Sequence, residues 1–116
     1  MLLVEHSVLE VKHEMGMIPA DVPGELKKLI DNDVVKVSEI QGEESVTKHD
    51  IMAMINVVNR YSPHVAEFLH SGMTSNDVND TATALQLKAF FTFYIQRMSD
   101  LIDSLKVIVK KNENRY

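Results

Sequence analysis

The stretch His70-Ser-Gly-Met-Thr-Ser-Asn-Asp-Val-Asn-Asp-Thr-Ala82 divides the chain into two parts of different character. Every glycine and proline lies within or before it, and nothing after it interrupts a helix as far as Asn114. The stretch also combines a histidine, a glycine, adjacent hydroxyls and carboxylates. Loops set on rigid elements often carry function, so this boundary is also a candidate site.

The part before this stretch predicts several short helices. Apolar periodicity favours helices over residues 2–15, 21–31 and 47–62. Residues 32–46 fit a short strand or a short helix, and the surrounding helices favour helix or turn. Residues 64–70 are predicted to form a short connecting helix or turn. Gly16 ends the first helix. The predicted buried face of that helix consists of Leu3, Val4, Val8, Val11 and Met15.

Charged and histidine side chains of this part are predicted to lie mostly on the surface. Glu5 falls outside the apolar face of the first helix, and His6, His13 and His64 have no neighbours that indicate a site. No histidine pair has the spacing of a metal site with further ligands, so none is expected. No glycine-rich dinucleotide or phosphate-binding motif is present.

The part after the boundary predicts one helix from Thr74 to Asn114, about 60 Å long at 1.5 Å per residue. A globule of this size has a radius of gyration of only about 13–14 Å. Apolar residues occupy most of the circumference, which is typical of a helix buried on several sides. We therefore predict an all-α fold with a small helical domain over 1–73 and the start of a long-helix bundle over 74–116, covered by further sequence or other subunits.

The composition of the chain limits the classes of function and of binding partner that can be expected. The chain has 116 residues, 45% of them hydrophobic, and a net charge of -5, which argues against broad nucleic-acid binding. The absence of cysteine excludes disulfides and thiol nucleophiles and is compatible with the cytosol. No signal peptide or membrane span is indicated. We expect a soluble, cytoplasmic protein without nucleic-acid or membrane partners.

Two segments have the form of a capping box, Thr47-Lys-His-Asp50 and Thr74-Ser-Asn-Asp77. Each predicts a helix start, and such a cap is worth about 1 kcal/mol. Lys48 and His49 would occupy a first helical turn, where positive charge is unfavourable unless an anion binds. Simple surface exposure of both side chains explains this segment equally well.

The second helix start is suited to a carboxylate or a phosphate. Thr74 and Ser75 offer hydroxyl donors beside free backbone N–H groups, and Gly72 permits close approach of the backbone. A lone histidine is more often structural, but the position of His70 beside this candidate site favours an acid, base or anion-pairing role.

The segment Thr47-Lys-His-Asp-Ile-Met-Ala53, followed by His70 to Ala82, resembles the adenylosuccinate lyase family of the fumarase/aspartase superfamily. The first helix running into Gly16-Met-Ile-Pro19 is similar as well, so the resemblance covers nearly the whole chain. It implies a small helical domain followed by very long helices. It also implies a homotetramer whose subunits pack these helices into one bundle, with each active site shared among three subunits.

The resemblance implies a carbon–nitrogen lyase of purine biosynthesis that needs no cofactor. Its reaction is β-elimination of fumarate from adenylosuccinate and from the succinyl-carboxamide ribotide. By the same resemblance Lys48, His49 and Asp50 contact the nucleotide part of this small-molecule substrate. Thr74 and Ser75 contact the succinyl part, and His70 is a supporting catalytic residue.

Several family segments have no counterpart in the chain. These are an Arg-Tyr pair expected ahead of Met1, a Gly-Arg-Thr-His segment with the principal histidine expected shortly after Tyr116, and a later mobile loop with a serine base. We therefore expect an N-terminal fragment that is inactive alone. The alternatives are argininosuccinate lyase or fumarase, whose corresponding segments differ, and a non-enzymatic helical association module.

Overall fold

The computed structural model describes residues 1–115, which contain six α-helices and no strand. This confirms the predicted all-α class, and the uncertain stretch 32–46 contributes a helix. The helices are α1 Leu2–Glu14, α2 Asp21–Asp31, α3 Val37–Thr47, α4 Asp50–Tyr61, α5 Pro63–Ala66 and α6 Ser75–Asn112.

Residues Met1–Ala82 form one compact unit with a core drawn from most of its helices. Leu9 of α1, Leu26 of α2 and Val57 of α4 are fully buried in the main cluster. A second cluster joins α1 and α4 to the start of α6, where Val78 is fully buried. The first turns of α6 therefore belong to this unit, and their position is fixed by apolar packing against α4.

The buried face of α1 differs from the predicted one. Leu3 and Val11 are more than half exposed, at 56% and 54%, whereas Glu5 is 1% exposed. His6, predicted to lie on the surface, is also buried. Glu5 has a polar partner inside the unit, a contact that apolar periodicity along α1 does not reveal.

The predicted helix start at Thr47 is wrong. Thr47 is the last residue of α3, and Lys48 follows in the left-handed conformation, with φ 55° and ψ 26°. This conformation ends α3, and α4 begins only at Asp50. The second predicted start is confirmed: α6 begins at Ser75, and the Asp77 carboxylate accepts the Thr74 N–H at 2.8 Å.

Residues 83–115 form a second unit, which consists mainly of the rest of α6. Its large apolar side chains lie between 39% and 68% exposed. No helix in residues 1–115 is long and apolar enough to cross a membrane. The predicted domain boundary before Thr74 stays a prediction. The exposed large apolar side chains of this second unit are Leu85, Leu87, Phe90, Phe91, Phe93, Tyr94, Ile95, Met98, Leu101, Ile102, Leu105, Val107, Ile108 and Val109.

Candidate functional site

The starts of α4 and α6 meet within the first unit and bring the two sequence motifs together. His49, which precedes α4, places Nε2 3.5 Å from the Ser75 hydroxyl, at the limit of a hydrogen bond. One residue further, Asp50 accepts a 2.7 Å hydrogen bond from the Asn79 amide. Two contacts thus connect segments that are 26 and 29 residues apart in the chain. We call His49, Asp50, Ser75 and Asn79 the helix-start cluster.

The backbone determines the tautomer of His49. Its Nδ1 lies 3.3 Å from the Met52 N–H, which can only donate, so Nδ1 accepts and caps α4. In the neutral ring the hydrogen then sits on Nε2 and points to Ser75. The 3.5 Å approach of Nδ1 to Asp50 is therefore not an ion pair while the cap is made. A hydroxyl that accepts from Nε2–H keeps its own hydrogen free to donate.

Asp50 is held as a carboxylate. Partial burial alone would raise its pKa, but hydrogen bonds from Asn79 and from the Ile51 N–H lower the pKa below the ordinary value. The Ile51 bond is 2.7 Å long. Asn79 was not singled out from the sequence, because an amide inside a helix carries no motif. Its spacing one turn after Ser75 is the only feature that points to it.

The start of α6 presents hydrogen-bond donors. Thr74 Oγ1 accepts the Asn76 N–H at 3.1 Å, so this hydroxyl caps the helix. The N–H of Ser75 has no acceptor among residues 1–115. A helix N-terminus with an unpaired N–H and a free hydroxyl hydrogen is suited to an anion. The contact of Thr74 and Ser75 with a substrate carboxylate stays a prediction.

Lys48 lies apart from these contacts. Its side chain is exposed and forms no hydrogen bond or ion pair with the described part of the chain. It lines an open surface cavity of about 410 Å³ together with Gln41, Glu44 and Ser45 of α3. Its predicted place in a helical first turn is wrong, since its left-handed backbone separates α3 from α4. The lysine ammonium remains available to a ligand.

His70 has its own partner, Glu5 of α1, and no hydrogen bond to the helix-start cluster within residues 1–115. The Glu5 carboxylate accepts the His70 N–H at 3.0 Å and lies 3.3 Å from His70 Nδ1. His70 adopts a positive φ of 57°. Sequence reasoning missed Glu5, because its partner is 65 residues away.

A separate group of possible metal ligands occurs on α2 and α5. Ligand atoms of Asp21, Glu25 and His64 lie within 4.8 Å of one another. The groups already have protein partners: His64 Nε2 lies 3.2 Å from Asp21, and Glu25 accepts a 2.5 Å hydrogen bond from Ser62. These contacts join α2 to α5, which is a sufficient structural role.

The chain is similar over its whole length to lyases from several organisms. It is 34% identical to the adenylosuccinate lyase of Synechocystis over 97% of the chain, and 32% identical to that of Methanocaldococcus jannaschii over 100% of the chain. An N-acetyl-S-(2-succino)cysteine lyase from Enterococcus italicus is 27% identical over 97% of the chain. The resemblance to adenylosuccinate lyase drawn from the motifs is confirmed.

The chain spans about a quarter of the length of these curated relatives, 25% in each case. No protein-family model matches the chain, and no solved structure matches it.

Proposed function

We propose, starting from the similarity of the whole chain to adenylosuccinate lyases, that it forms the N-terminal part of a lyase subunit that eliminates fumarate from adenylosuccinate. In this reaction a proton leaves the β-carbon of the succinyl group and the bond from its α-carbon to the purine amino nitrogen breaks. The electron pair of the broken C–H bond becomes the double bond of fumarate, and the pair of the broken C–N bond stays on the nitrogen, which takes up a proton to become the amino group of the second product. The succinyl-carboxamide ribotide reacts in the same way.

The contact between His49 and Ser75 is the observation that carries this proposal, because it joins the two motifs on which the resemblance rests. Ser75 donates its free hydroxyl hydrogen and its N–H to a substrate carboxylate, assisted by the positive end of the α6 dipole. Charge that builds on the carboxylate when the β-proton leaves is stabilised by these fixed donors.

The remaining predicted site residues hold the rest of the substrate. Lys48 provides a mobile cation for the nucleotide phosphate, while His49 and the ionised Asp50 contact the nucleotide part from the start of α4. His70 supports the chemistry from the loop before α6. The main proton-transfer groups come from other segments or subunits, so the 116-residue chain alone is inactive. The exposed apolar side chains of α6 are covered in a homotetramer.

A second candidate substrate has its succinyl group on sulfur. The chain is 28% identical over 96% of its length to a Dickeya dadantii protein named N-acetyl-S-(2-succino)cysteine lyase. The substrates named for the adenylosuccinate lyases and for the N-acetyl-S-(2-succino)cysteine lyases both carry a succinyl group. The group is attached to nitrogen in the first substrate and to sulfur in the second. A succinyl site at Ser75 serves either reaction, so the leaving group, not this helix start, distinguishes the two candidates.

The test uses the complete gene product. Fumarate release is measured with adenylosuccinate, N-acetyl-S-(2-succino)cysteine, argininosuccinate and malate. We expect activity on adenylosuccinate. Ser75→Ala and Lys48→Ala should each raise KM or Kd about tenfold or more, with little change in Tm, because both side chains lie outside the core. Lys28→Ala is the matched control, since Lys28 is an exposed lysine of α2 whose ammonium has no partner in residues 1–115.

Each outcome decides between functions. Fumarate from the sulfur-linked substrate alone would assign the second candidate. Activity only on argininosuccinate or malate would assign another branch of the superfamily. A helical association module would be favoured if the protein released fumarate from no substrate, and if Ser75→Ala and Lys48→Ala lowered Tm without weakening substrate binding.

A further inference from the structure

Glu5 is a buried carboxylate to which the proposed mechanism gives no role. At 1% exposed, it is the only acidic residue that is buried in the described chain. Removing a carboxylate from water is costly unless both oxygens are hydrogen-bonded. In Glu5 both oxygens face His70, one at the backbone N–H and one at the ring.

This double contact stabilises an unusual backbone. His70 has φ 57°, a left-handed conformation that costs a non-glycine residue about 1 kcal/mol or more. The bond from its N–H to Glu5 Oε2 holds the residue in this conformation, and Glu5 is itself buried on α1, the helix that places Leu9 in the core. The ring of His70 is therefore oriented by a rigid helix, although His70 lies in a loop.

The contact also determines which ring nitrogen carries hydrogen. A carboxylate can only accept, so Nδ1 of His70, 3.3 Å from Glu5 Oε1, is the protonated nitrogen of the neutral ring. Nε2 then carries the lone pair, and it has no hydrogen-bond partner within residues 1–115. The side chain is 19% exposed, so a ligand can reach it.

We propose that Glu5 is a positioning residue for the lyase site: it fixes His70 as the Nδ1–H tautomer and presents Nε2 as an acceptor for an N–H or O–H group of the substrate. The role of His70 in catalysis rests on the proposed function. The tautomer does not, since it follows from the geometry of the chain alone.

The first measurement needs no variant. Imidazole ¹H–¹⁵N correlation spectra of the 116-residue chain are recorded at a pH at which no doubly protonated ring remains, and His70→Gln assigns the His70 signals. We expect the Nδ1–H tautomer. A predominant Nε2–H tautomer would overturn the inference, whatever the activity of the complete protein.

Glu5→Gln provides the second test. The His70 N–H can only donate, so the Gln oxygen must face it and the Gln NH₂ group then faces Nδ1. Nδ1 must accept, and the tautomer should switch to Nε2–H. Glu14→Gln, on the exposed end of the same helix, is the control and should leave the tautomer unchanged. An Nδ1–H tautomer that persists in Glu5→Gln would contradict the proposal.

In the complete protein Glu5→Gln should lower kcat about tenfold or more with a smaller change in KM, because the positioned nitrogen is altered while the Ser75 donors are intact. Loss of the tautomer without loss of kcat would refute the catalytic part of the inference. If the tautomer switches in Glu5→Gln but the complete wild-type protein releases no fumarate, the proposed function is refuted and the positioning by Glu5 stands.

Discussion

The hydrogen bond between Asn79 and Asp50 should couple the two helix starts energetically, and Asn79→Ala tests this. An amide bound to a carboxylate is worth about 1.5–3 kcal/mol when it is buried. The Asp50 side chain is 36% exposed, so solvent screens the bond. We expect a coupling of about 1 kcal/mol between Asn79→Ala and Asp50→Ala. The double variant should therefore be less destabilised than the sum of the single variants.

Urea unfolding of the chain and its three variants gives the coupling from a double-mutant cycle. Gln96→Ala serves as the control, since it removes an amide from the same helix that bonds only to Asp100 nearby. Its coupling to Asp50→Ala should be zero. Coupling below about 0.3 kcal/mol for Asn79→Ala would show that the two helix starts are not joined as described.

The same bond predicts a pH dependence. The pKa of Asp50 in the folded chain lies below the ordinary 3.8. The stabilisation is therefore present above pH 3.8 and is lost as the pH falls through the lower folded value. Asn79→Ala should raise the Asp50 pKa, as measured from its carboxyl ¹³C shift. An unchanged pKa would mean that Asn79 does not hold the carboxylate.

Three further predictions concern the loop, the core and the long helix. Gly72→Ala should destabilise the chain by about 1 kcal/mol, because a Cβ at this position meets no neighbouring atom but the φ of 75° strains an alanine backbone. Gly42→Ala within α3 should instead stabilise the chain slightly, because alanine favours a helix. Thermal unfolding of both variants checks the two signs. Leu9→Ala should cost about 2–5 kcal/mol in urea unfolding, since the side chain is fully buried, and a cost below 1 kcal/mol would contradict this. The chain should self-associate through 85–109, and a monomeric sedimentation profile at high concentration would count against it.

Local features were predictable from the sequence. The Thr74 and Asp77 pairing that starts α6 lies within three residues, so a capping pattern describes it fully. The same pattern failed at Thr47. There the preceding helix α3 extends to Thr47 itself, and Lys48 separates α3 from α4 by adopting a left-handed backbone. This conformation is uncommon for a residue other than glycine, so a lysine in the sequence does not predict it.

Long-range polar contacts were not predictable. The burial of Glu5 depends on His70, and the position of Asn79 matters only because Asp50 lies beside it. Periodicity places a charged residue on the outer face of a helix by default, and only the folded chain shows that a partner compensates its burial. The residues that could contact a substrate were recognisable, but those that hold them in place were not.

The contact between Glu5 and His70 also constrains the order of folding during synthesis. The two residues are 65 positions apart, so at about 5–20 residues per second the ribosome adds His70 roughly 3–13 s after Glu5. Until then α1 can form its turns, but the hydrogen bonds from His70 that compensate the burial of the Glu5 carboxylate do not yet exist. We therefore expect the contact between Glu5 and His70 to form late in folding, since contacts of such high sequence separation slow folding.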